Sequence, residues 1–215
     1  MNQFVREPIN GFTHLAGAIL SFIGLLAMVI KAASESASPL TITAVLIFGI
    51  SMTLLYSASA TYHLVIARDK IISFLRRLDH SMIFILISGT YAPFCLVTLN
   101  GWIGWIIFSI IMAAALCGVI FKMIWFDCPR WLSTGLYIAM GWMIVFAAVP
   151  LAENLATEGL GLLILGGILY TVGGMIYGFK PKFLQFKHVG FHEIFHIFIL
   201  LGSLSHFLSV FYFVI

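Results

Sequence analysis

Residues 102–125 read WIGWIIFSIIMAAALCGVIFKMIW. No charge interrupts the run before Lys122. It has the length a helix needs to cross the hydrocarbon core of a bilayer, about 20 apolar residues. Turn and charge signals close it off, Asn100-Gly101 before it and Asp127-Cys128-Pro129-Arg130 after it.

Working outward, six more stretches have the same character: 12–33, 39–63, 79–98, 131–151, 159–178 and 189–215. They are parted by Ser34-Glu35-Ser36, Arg68-Asp69-Lys70, Glu153-Asn154 and Lys180-Pro181-Lys182. The expected fold is all-α, a polytopic bundle of seven transmembrane helices forming a single domain over 1–215, with no second domain and no soluble tail. The first run is longer than the apolar segment of a secretion signal and lacks a convincing small-residue cleavage site, so it is expected to stay in the membrane.

Composition agrees. The chain is 62% hydrophobic and 9% charged, against about 25% charged for a soluble domain. A soluble chain of 215 residues could not bury that much apolar surface, whereas lipid removes the difficulty. The net charge of +3 is small, and no basic cluster is interleaved with aromatics. Nucleic acid is therefore excluded as a partner, and membrane lipids are the expected surroundings. Cys95, Cys117 and Cys128 are scattered, forming neither a CxxC pair nor a disulfide framework. They read as small apolar fillers.

Lys and Arg set the expected orientation. Arg6, Arg68, Lys70, Arg76, Arg77, Lys122, Arg130, Lys180, Lys182 and Lys187 fall on one side, ten of the eleven basic residues, and Lys31 alone on the other. This split requires an odd number of helices, with the N-terminus in the cytoplasm and the C-terminus outside. Two local features read more blandly. Residues 64–78 mix Ile71, Ile72, Phe74, Leu75 and Leu78 with Arg76 and Arg77, as in a short interfacial helix. The GxxxG from Gly174 to Gly178 suits close helix packing.

Ionisable groups inside a bilayer are costly and so point to function. In this topology His14, His63, His80, His188, His192 and His196, together with Asp79, lie at one membrane depth on four helices. His206 is roughly 15 Å deeper than His196 by helical rise, too far for the same metal, and suited to hydrogen-bonding a neighbouring helix. His192 and His196 are four residues apart and share a helix face. With His63 from another helix they make a three-histidine site with an open fourth position, the pattern of a catalytic zinc. Imidazoles also suit iron, nickel and copper. Asp79 is placed to take a proton from the metal-bound water or to orient it. Ser59 lies one turn before His63, beside the site or simply as a packing residue. His14 reads as a supporting or hydrogen-bonding group, and His80 and His188 as metal-proximal or headgroup-level.

His192-Glu193-Ile194-Phe195-His196 also matches the HExxH helix in which glutamate is the base of a metalloprotease. An intramembrane protease needs a further carboxylate ligand from a later segment, and only about twenty apolar residues and His206 follow. Glu193 therefore reads as a neighbour of the site and not its base.

Glu7-Pro8-Ile9-Asn10-Gly11-Phe12-Thr13-His14, Ser59-Ala60-Thr61-Tyr62-His63, Asp79-His80 with Gly89-Thr90-Tyr91-Ala92-Pro93, and His192–His196 together resemble the haemolysin III proteins, part of the larger progestin and adipoQ receptor family. The resemblance spans nearly the whole chain and is strongest to the bacterial members, which lack the animal receptors' soluble N-terminal extension. It implies a multi-pass protein of the bacterial cell membrane with zinc near the cytoplasmic face. It also implies His63, His192 and His196 as ligands, Asp79 holding the zinc-bound water and Ser59 beside it. The related alkaline ceramidases suggest hydrolysis of an amide in a lipid-like substrate. Glu193 departs from the pattern and leaves the base open. Three functions follow as expectations: a zinc-dependent lipid amide or ester hydrolase, a membrane-lytic or pore-forming haemolysin, and a zinc-stabilised sensor of membrane state.

Overall fold

The computed structural model describes residues 4–186 and 189–215. Lys187 and His188 lie outside the described residues, and with them the topological charge and the headgroup role read for those two positions. Seven helices are long and apolar enough to cross a membrane. We label them α1 (Pro8–Ser34), α2 (Pro39–Leu64), α3 (Asp69–Thr98), α4 (Trp102–Ile124), α5 (Arg130–Asn154), α6 (Thr157–Phe179) and α7 (Phe191–Phe213).

The helix starts follow from local chemistry. Pro8 and Pro39 occupy first-turn positions, where a missing N–H costs nothing. Ser38 caps α2 by accepting the Thr41 N–H at 3.1 Å. Asn100, at φ 33°, turns the chain between α3 and α4.

The helices form a ring in which α1 packs on α2, α2 on α3, α5 on α6, α6 on α7 and α7 back on α1, while α4 stands outside against α3. The α6–α7 seam is made of small residues. Gly159, Gly166 and Gly173 repeat every seven residues, and a Cβ on them would run into Phe213, His206 and Phe198. Gly174 and Gly178 instead face Thr134 of α5 at ordinary contact distances. The close packing expected at the GxxxG thus lies on another stripe of the same helix. Tyr56, Tyr170 and Ser203 join α2, α6 and α7, with Tyr56 Oη 2.5 Å and Tyr170 Oη 2.7 Å from Ser203 Oγ.

Two helices depart from the sequence expectations. Helix α3 begins at Asp69, not Asp79, so residues 69–78 are its first turns and not a separate interfacial helix. A helix rising 1.5 Å per residue extends by roughly 15 Å over those ten residues without breaking the backbone ladder. Beyond Pro93 it widens into one π turn, Phe94–Thr98, where Leu99 N–H reaches the Phe94 carbonyl at 2.9 Å. Proline's missing N–H favours such a break.

Helix α5 is interrupted by a 3-10 segment, Met143–Ala147. The Tyr91 hydroxyl fits the break. It is 2.9 and 2.8 Å from the Met140 and Gly141 carbonyls, to which it donates, and accepts the Ile144 N–H at 2.8 Å. Backbone groups freed inside lipid need such partners.

Gly104 marks the closest approach of α4 to α3. A Cβ there would overlap the Cys95 carbonyl oxygen, a backbone atom that cannot swing away. Gly104→Ala is expected to cost about 1–3 kcal/mol, read as a lower thermal unfolding midpoint in detergent. An unchanged midpoint would contradict this packing.

Candidate metal centre and its cavity

His63 ends α2, and His192 and His196 open α7. The contact of α1 with both helices closes this end of the ring. One ring nitrogen from each histidine lies within 4.8 Å of the other two, and His63 Nε2 is 3.4 Å from His192 Nε2. Two imidazole ligands at about 2.05 Å on a tetrahedral ion stand about 3.3 Å apart, so the spacing fits a shared metal. His63 and His196 are almost fully buried. Two buried imidazoles and one partly buried, with nitrogens converging on one point, suit a divalent metal.

The tautomer of His63 follows from a residue that spacing did not single out. Glu7, just before α1, places Oε2 2.6 Å from His63 Nδ1. The Nδ1 proton is donated to the carboxylate, and Nε2 keeps its lone pair for a metal. The Glu7 N–H is also bound to the His63 carbonyl at 2.9 Å, and Arg6 donates to the Tyr62 carbonyl at 2.6 Å. The residues before α1 are thus strapped to the end of α2. The hydrogen bond from His63 holds the Glu7 carboxyl below the usual carboxylate range, with the charge of Arg6 and the Asn10 hydrogen bond acting in the same sense against partial burial. Only a nearby carboxylate in the sequence could have hinted at this role. Glu7→Gln is expected to weaken metal binding about 10–100-fold and leave the fold intact. A competition titration with a metal-sensing dye checks it.

The other candidates separate clearly. Asp79 and Ser59 are buried and line the same cavity as His192 and His196. His14 stacks face to face on His196, with centroids 3.6 Å apart and planes 10° apart. His80 donates from Nδ1 to the Arg76 carbonyl at 2.8 Å, so its Nε2 accepts from Tyr177 Oη at 2.9 Å. It ties α3 to α6 and leaves no lone pair for a metal. His206 is 3.2 Å from the Leu163 carbonyl through Nε2, a bond to the neighbouring helix. Both oxygens of Glu193 are occupied, Oε1 by Asn10 Nδ2 at 2.9 Å and Oε2 by Gly190 N–H at 2.8 Å. Glu193 caps α7 and fastens it to α1. Cys128 corrects the reading of all three cysteines as inert fillers, since its sulfur accepts from Lys122 Nζ at 3.3 Å.

From the histidines an interior cavity of about 470 Å³ runs between α3, α5, α6 and α7. Its walls extend along α6 from Tyr177 to Leu160, roughly 25 Å by helical rise. They are overwhelmingly apolar, with Ile83, Ile87, Leu151 and Leu163 among them. It exists because α3 and α5 meet only thinly and α5 is the least buried of the seven helices.

Seven apolar helices and a largely buried histidine triad define a multi-pass membrane protein with room for a metal at one end of the bundle. A family described as Haemolysin-III related matches residues 2–207. Hemolysin-3 of Bacillus cereus is 42% identical, over 100% of this chain and 95% of its own length. The Hemolysin-3 homolog of Bacillus subtilis (strain 168) is 39% identical, over 97% of this chain and 95% of its own length. The chain belongs to the haemolysin III family.

Proposed function

We propose that this protein is a zinc-dependent hydrolase of lipid amides or esters, oriented with the histidine end of the bundle at the cytoplasmic face. The observation that carries the reading is the convergence of His63, His192 and His196 beside a long, apolar cavity that His192 and His196 line. His63, His192 and His196 would hold the zinc, which supplies Lewis acidity toward an acyl carbonyl. Glu7 keeps the His63 lone pair turned inward. Asp79 takes the proton of the attacking water and returns it to the leaving group. Ser59, one turn before His63 on the cavity wall, lies in reach of the same polar region. The apolar walls take the acyl chain and exclude bulk water from the carbonyl. The orientation rests on the basic residues gathered at this end of the chain's topology.

A lytic function has its own support in the names of the relatives, Hemolysin-3 and Hemolysin-3 homolog. The apolar cavity wall speaks against a water-filled pore through one copy, which would need a polar lining.

The test is elemental analysis of the detergent-purified protein, followed by assays on long-chain lipid amides and esters before and after chelation. About one zinc per chain, with turnover lost on chelation and restored by zinc, is the expected result. Protein that carries no metal, or turnover indifferent to chelator, sinks the hydrolase. Dye release from liposomes without any hydrolysis favours lysis.

A further inference from the structure

Next to the histidine centre is a second pocket of about 190 Å³ that the proposed chemistry does not use. Three cations from three helices line it: Arg76 of α3, Lys122 of α4 and Arg130 of α5. Among the described residues, no carboxylate lies within ion-pair distance of any of them. The one acid on the pocket wall is Asp127, and it is exposed.

Cations that only set topology stay in water or snorkel to headgroups. Lys122 does neither. It is 3% exposed, and among the described residues its ammonium has a single acceptor, the soft sulfur of Cys128. Arg130 has a buried Nη1 with no partner among the described residues. Aromatic faces hold these groups in place. Arg76 lies 4.8 Å and Lys122 5.3 Å from the Phe126 centroid, and Arg130 5.5 Å from that of Tyr177. A buried ammonium without a counter-charge is costly, so a bound anion would answer an unmet demand. Arginine and lysine converging on one concavity are the donors that recognise phosphate oxygens.

The two pockets are neighbours, since His80 and Tyr177 line both. We propose that Lys122, Arg76 and Arg130 bind a phosphate group, and that the phosphate belongs to an acyl lipid whose chain enters the adjoining apolar cavity. Phosphate binding stands on this geometry alone. The identification of a phospholipid as substrate rests on the hydrolase reading.

The experiment compares lipid binding by native mass spectrometry of the full chain in detergent, with zinc content measured in the same samples. Phosphatidic acid is set against diacylglycerol of identical chains, with inorganic phosphate as competitor. The wild type is expected to prefer phosphatidic acid by about tenfold or more, as loss of a charge-assisted hydrogen bond predicts. Lys122→Met and Arg130→Gln should each reduce that preference while zinc content holds, and the second serves if the first does not fold. Equal binding of the two lipids by wild type overturns the proposal, as does a preference that survives both substitutions. Competition by inorganic phosphate that depends on Lys122, without any preference between the lipids, overturns the lipid source and leaves a site for a soluble phosphate. Absence of zinc with the lipid preference intact strikes the hydrolase and spares this pocket.

Discussion

His192→Ala protein is expected to leave purification with almost no metal, while the wild type carries about one ion per chain. Among the described residues, His192 supplies one of three histidine nitrogens that converge, and two imidazoles alone make a weak site in competition with water and chelators. The loss should also reach the fold. A metal present at about 100 times its dissociation constant adds about 2.7 kcal/mol to the stability of the state that binds it, which in a chain of this size corresponds to about 5–10 °C in unfolding midpoint. The ligands bridge α2 and α7, so the cost falls on the closure of the ring. Wild type stripped by a chelator provides the control and should unfold at the same temperature as the variant. A variant that melts far below stripped wild type would place the effect in the lost packing of the ring and not in the metal.

Asp79→Asn is expected to do the reverse, keeping the metal and losing turnover. A proton-transferring side chain contributes about 10²–10⁴-fold to rate, and an amide of the same shape cannot take the proton. Asp79 is buried on the cavity wall, and among the described residues no lysine or arginine is paired to it. His80 Nδ1 is 3.7 Å from it and already donates to the Arg76 carbonyl. The carboxylate therefore has free capacity to accept. Glu193 is the informative contrast, for both its oxygens are engaged in holding α7 to α1. Glu193→Gln should keep turnover and lose some thermal stability. Assays of both variants at equal zinc loading decide the matter: normal turnover in Asp79→Asn with loss in Glu193→Gln would exchange their roles.

Much of this was legible in the amino-acid order because lipid enforces simple rules. An apolar run of the right length becomes a helix, and residues 102–125 read as one without ambiguity. The 3.6-residue period placed His192 and His196 on one face. What stayed hidden depends on packing between helices. Arg76 and Arg77 disguised the first turns of α3 as a surface element, although a helix can continue past the lipid at no cost to its hydrogen bonds. The break in α5 is announced only by Pro150, just beyond it, whose missing N–H leaves the Phe146 carbonyl without its helical donor, and its partner, Tyr91, lies in another helix. Glu7 reaches His63 across 56 residues, a distance no periodicity bridges. Lys122 looked like one more topological charge, and only its burial marks it as something else.

The strap from Glu7 to His63 is made by the first residues and the first two helices of the chain, whereas His192 and His196 belong to the last helix. A membrane protein is threaded into the bilayer from its beginning. One of the three histidines of the candidate metal centre is thus in place early in synthesis and waits for the other two until the seventh helix has been inserted. Any chain that stops short, or inserts one helix the wrong way round, leaves His63 without its partners. Metal occupancy in this protein would therefore report that all seven helices have arrived on their proper sides.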